Sequence, residues 1–116
     1  MRNPRFGYNV AAITASGVGS LRILTGGITT GRVFWLRHLT ITNEHATNPG
    51  VAELWDEAAA VTPAAANQRG AFIIPANDTV QLDFPAPGIR FDTDVTMTTS
   101  AGTLAAYSQL CAGYEE

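Results

Sequence analysis

Turn-forming residues divide this chain, and none of the segments between them reads as a convincing helix. Ser16-Gly-Val-Gly-Ser20, Gly26-Gly27, Asn48-Pro-Gly50, Ala76-Asn-Asp78, Pro85-Ala-Pro-Gly88 and Ser100-Ala-Gly102 mark off the segments. Several short segments bounded by such turns, read as strands, are the signature of a β-sandwich or barrel. The segments between them are rich in Thr and β-branched residues, which suit a pleated surface.

Arg32 to Asn43 is the strongest strand. Val33, Trp35, Leu39 and Ile41 share one parity, and Phe34, Leu36, His38 and Thr40 the other. Both parities are apolar in the first half, so this half is expected to be covered on both faces, one of them by a neighbouring subunit. Val51 to Glu57 is a second strand, with Ala52 and Leu54 opposed to Glu53 and Trp55. Ala58 to Gly70 is Ala-rich, but Pro63 would cost about 3 kcal/mol inside a helix, so a long loop with one helical turn is expected. Ala71 to Pro75 resumes the sheet. Thr79 to Phe84 then alternates strictly, with Val80, Leu82 and Phe84 inward. Ile89 and Phe91 point in while Arg90 and Asp92 point out. Val95–Thr99 and Thr103–Leu110 close the body, which Tyr8–Ala15 and Leu21–Leu24 open. The expectation is an all-β, single-domain β-sandwich of about eight strands over 8–116, preceded by an arm over 1–7.

The chain has 116 residues with 46% apolar and 15% charged side chains, enough for one domain with its own core. Its seven basic residues are all Arg against ten acids, for a net charge of −3. That balance argues against binding nucleic acid or a membrane surface by bulk charge. Cys111 is the one cysteine, which excludes an internal disulfide. No apolar run approaches the ~20 residues of a membrane-spanning helix. Phe6 to Gly17 is interrupted by Tyr8, Asn9, Thr14 and Ser16, unlike the apolar stretch of a signal peptide.

Chemistry-bearing constellations are sparse. His38 and His45 lack the spacing that presents two ligands on one face, so both read as structural or solvated. Neither a nucleophile elbow nor a phosphate-binding loop is present. Asp92 and Asp94 have the spacing to share a Ca²⁺, but no calcium-loop pattern surrounds them, and solubilising loop acids are the plainer reading. Trp35 and Trp55 read first as core, then as subunit interface, then as a platform for stacking sugars. These features point away from an enzyme and toward a binding or structural role, without a cofactor or metal.

The run GRVFWLRHLTITN, then VAELWDE, FIIPANDTVQLDFPAPGIRF, a Thr-rich strand and the closing TLAAYSQLCAGYE resembles small β-sandwich virion proteins of tailed bacteriophages. It covers roughly the last three-quarters of the chain, and its most specific element is V-x-L-x-F-P-x-P-G-I-x-F. The resemblance implies a jelly-roll-like fold, an oligomer (often a trimer) and a role on the particle surface. The leading expectation is a capsid decoration, or cement, protein that binds the major capsid protein of the same virus after assembly in the bacterial cytoplasm. Alternatives are a tail, baseplate or fibre module, and a carbohydrate-binding module. On that reading the arm (Arg2, Arg5, Phe6, Tyr8) and the Ala58–Gly70 loop with Pro63 and Arg69 meet the capsid. Phe34, Trp35 and Trp55 lie between subunits.

Overall fold

The computed structural model describes residues 2–9, 21–59, 63–100 and 107–116. It is all-β: two antiparallel sheets form a sandwich. The strands are β1 (Asn3–Asn9), β2 (Leu21–Arg22), β3 (Phe34–Asn43), β4 (Gly50–Trp55), β5 (Gln68–Ile74), β6 (Asp78–Asp83), β7 (Ile89–Phe91), β8 (Thr96–Ser100) and β9 (Tyr107–Glu115). One sheet runs β1-β9-β3-β6, with β7 also on β3, and the other runs β2-β8-β4-β5. β6 and β7 both pair with β3 and act as two halves of one strand position, interrupted at 84–88. The expected eight positions are thus filled by nine segments. Pairing is nested: β1 with β9, β2 with β8, β3 with β6 and β7, β4 with β5. A hairpin folded over on itself in this way is the jelly-roll arrangement.

The core lies between the sheets. Phe34, Leu36, Leu39 and Ile41 of β3 meet Ala52 and Leu54 of β4, with Ile74, Phe91, Val95, Met97 and Cys111 around them. The parity of β3 changes midway because the register shifts between Leu36 and His38. That bulge lets Leu36 and Leu39 both face inward, although they are three residues apart. It explains the two apolar parities in the sequence, and it corrects the expectation of a subunit over Phe34, which is fully buried in the core. The bulged Arg37 is held by Nε donating to the Phe84 carbonyl (2.9 Å), while Phe84 N–H donates back to the Arg37 carbonyl (2.9 Å).

Two other boundaries differ from expectation. Residues 3–7 are not an arm: they belong to β1, whose seven residues pair with β9 from Asn3↔Glu115 to Asn9↔Gln109. The expected strand over Tyr8–Ala15 lies mostly outside the described residues, as do 60–62 of the Ala-rich loop and 101–106 before β9. β5 begins at Gln68 rather than Ala71, right after a single 3-10 turn at Ala65–Asn67.

Gly7 marks the closest approach between β1 and the β2 segment. A Cβ there would fall on the carbonyl oxygen of Ile23, so only glycine fits. Gly88 closes the 84–88 turn at φ +105, in the left-handed range, with the Leu36 carbonyl against its Cβ position. Cys111 is buried, its thiol donating to the Ile23 carbonyl at 3.3 Å, and burial pushes its pKa up to about 12.

Two buried carboxylates organise the loops. Asp56, just after β4, accepts the N–H groups of Asp92 (3.0 Å), Thr93 (2.7 Å) and Asp94 (3.3 Å), and Arg69 Nη2 donates to it at 3.3 Å. Glu115 accepts from Thr29 N–H (3.2 Å) and Thr29 Oγ1 (3.1 Å), and forms an ion pair with Arg5.

Candidate docking surface

The outer face of the five-stranded sheet follows from the register. Directly paired residues of antiparallel strands share a face. One row across β1, β9, β3 and β7 is Pro4, Tyr114, Trp35 and Arg90. The next is Phe6, Ala112, His38 and Asp83, and the third is Tyr8, Leu110, Thr40 and Gln81. The face therefore grades from apolar on β1 and β9 to polar on β6.

Its apolar half is open. Phe6 is 63%, Tyr8 66% and Leu110 46% exposed, three of the four large apolar side chains that are exposed among the described residues. Phe6 and Tyr8 stand two residues apart on one strand, about 7 Å, and Leu110 faces Tyr8 directly across the pair. Such a concentration is informative because scattered exposed apolar residues are normal, whereas a contiguous patch marks an interaction site. Burying these rings under a partner is worth about 1–2 kcal/mol each.

The charges around this patch are paired. Arg2 sits 4.5 Å over the Tyr114 ring and its Nε donates to Glu116 at 3.2 Å. Tyr114 is otherwise covered, its hydroxyl donating to the Pro87 carbonyl at 3.1 Å. Arg90 stands 5.9 Å over the Trp35 ring and forks onto Asp92, which raises its pKa above the usual guanidinium range through the hydrogen bond and then the charge. His38 Nδ1 and Asp83 Oδ1 are hydrogen-bonded to each other, both side chains exposed. A neutral, aromatic surface with a self-compensated rim suits a protein surface better than a phosphate backbone.

The sequence-derived site residues separate on the structure. Phe6 and Tyr8 come together on the patch, with Arg2 at its margin. Arg5 turns inward instead, to Glu115 and to the carbonyls of Thr25 (2.7 Å) and Gly27 (2.8 Å). Arg69 is tied to Asp56, and half-buried Pro63 lies in the connection between β4 and β5, away from this patch in sequence. Trp35 and Trp55 are not on neighbouring strands, since β3 and β4 belong to different sheets. Trp55 is only 8% exposed and donates its indole N–H to Thr98 Oγ1 at 2.8 Å, which leaves little ring for a sugar or a subunit. Asp92 and Asp94 diverge: Asp92 pairs with Arg90 on the surface, and buried Asp94 accepts from Arg22 Nε at 2.7 Å. His45 Nδ1 accepts the N–H groups of Thr47 (3.2 Å) and Asn48 (3.0 Å), a loop-shaping role.

Leu110 carries no local signal in the sequence that marks it as exposed. Only its pairing with Tyr8 reveals it. Among the described residues no three His, Cys, Asp or Glu side chains converge to hold a metal, and no helix is long and apolar enough to cross a membrane. No protein-family model matches the chain, and no curated protein matches it.

Proposed function

We propose that this protein is a virion structural protein, a decoration protein that docks onto an assembled phage capsid through the outer face of its five-stranded sheet. The open Phe6–Tyr8–Leu110 patch carries the reading. The patch sits on a rigid sheet rather than a loop, so docking costs little ordering entropy. Binding only to the assembled shell would add its free energy to the stability of that shell. The sequence resemblance supplies the shell as partner, and the jelly-roll pairing supplies the rigid body.

Two measurements test this. Mass spectrometry of purified particles gives copies of this chain per copy of the major capsid protein. A ratio near that of the capsid protein supports decoration, and a ratio far below it moves the protein to a tail or fibre. Adding the purified double variant Phe6→Ser/Tyr8→Ser back to particles that lack the protein then tests the surface. An affinity loss on the order of a hundredfold is expected from the two lost rings. Undiminished binding by a folded double variant refutes the surface. Deleting residues 1–7 is not a clean test, because it removes most of a paired strand.

A further inference from the structure

The fourth exposed apolar side chain lies elsewhere. Ile73, 73% exposed, is on β5, at the edge of the four-stranded sheet. β5 pairs with β4 on one side, and no strand pairs with its other edge among the described residues. Its backbone N–H and C=O groups on that edge are a template for another extended chain.

The exposed edges of this protein are defended unequally. β6 carries Asp78, Thr79, Gln81 and Asp83 exposed along its length. On β1, Pro4 removes one donor, and the Phe6 carbonyl accepts the Thr25 N–H at 3.3 Å. β2 is two residues long. Charged side chains, prolines, capping bonds and short strands are the usual devices against edge-to-edge pairing. On β5 the one ionisable side chain, Arg69 at its start, is tied to Asp56 and to the Gln68 carbonyl (3.3 Å); from Gly70 to Asn77 there is none, and Pro75 falls after the strand.

We propose that β5 is a self-association edge, at which two copies of this chain join antiparallel about a two-fold axis to continue the four-stranded sheet. The strand is compatible with itself. With the axis at Phe72, the exposed Ile73 of each copy stands opposite Ala71 of the other, large against small on the outer face. No ionisable side chain of positions 70–74 is brought against its own kind, since there is none. A two-fold contact is isologous, so one strand supplies both halves of the interface. This edge is separate from the Phe6–Tyr8–Leu110 face, which lies on the other sheet.

The test is the mass in solution of the full chain, by sedimentation equilibrium across a wide concentration range. A reversible monomer–dimer equilibrium is expected. Ile73→Lys and Ala71→Lys, both at exposed positions and each checked by thermal melting, are expected to weaken it by on the order of a hundredfold, because each change acts twice in a two-fold dimer. Gln81→Lys on β6 is expected to leave it unchanged. Amide exchange at 70–74 is expected to slow as the dimer fills. A strict monomer, a trimer (the state that the resemblance implies), or a dimer indifferent to both β5 variants would overturn the proposal. A trimer would leave the docking surface on the other sheet standing.

Discussion

Replacing Asp56 by alanine removes one side chain and disconnects three elements. Its carboxylate takes the N–H groups of three consecutive residues between β7 and β8, and the guanidinium of Arg69 on β5. The cost depends on what replaces those bonds. Asp92 and Thr93 are exposed, so water can reach their N–H groups, and each loss is about 1 kcal/mol. Asp94 is 3% exposed, so its N–H is left without a partner at about 1–3 kcal/mol. Arg69 has 30% of its side chain exposed and adds less than about 1 kcal/mol. The expected loss for Asp56→Ala is about 4 kcal/mol, a large share of the 5–15 kcal/mol typical of a small domain. Asp56→Asn keeps one acceptor oxygen and is expected to lose about half of that. Urea unfolding followed by tryptophan fluorescence reads the difference, with Asp92→Ala as the exposed-pair control at under about 1 kcal/mol. If Asp56→Ala costs no more than Asp92→Ala at an unchanged denaturant slope, the assignment of Asp56 as the organiser of this loop is wrong.

Gly7→Ala is expected to destabilise by about 3 kcal/mol, because the new methyl has to displace backbone at Ile23 rather than a movable side chain; an unfolding midpoint equal to wild type would refute the close approach. Cys111 links stability to alkaline pH. Its folded pKa is raised to about 12 by burial, above the unfolded thiol near ~8.5, so its contribution is complete below about pH 8.5 and is lost as pH rises toward about 12. The slope of stability against pH over that window is expected to flatten in Cys111→Ala, and an identical slope would remove the thiol as its source.

The alternation of polar and apolar residues was enough to read β6 from Thr79 to Asp83 and the inward Ile89 and Phe91, because each strand keeps one face to water. β3 was harder. Its bulge at Arg37 reverses the parity, and a two-sided apolar pattern then imitates an interface although Phe34 and Leu36 simply face the core. The β1 strand was hidden for a different reason. Asn3, Pro4 and Gly7 are poor strand formers, and what holds them there is pairing with a segment more than a hundred residues away. Of the docking surface, Phe6 and Tyr8 were legible as exposed aromatics. Arg5 was not separable from them, since nothing local announces the buried Glu115 that turns it inward.

The nested pairing also sets an order of events during synthesis. β4 and β5 are close in sequence and can zip as soon as both have left the ribosome. β1 is made earliest and has no sheet partner among the described strands until β9 emerges. Until then the Phe6–Tyr8 stretch lacks its β9 partner, and the local β4–β5 pairing is expected to form before it. Such late, distant closure makes for slow folding and a window for misassociation. A circular permutant opened in the turn between β5 and β6, joining β9 directly to β1, would turn the last pairing into one of the most local.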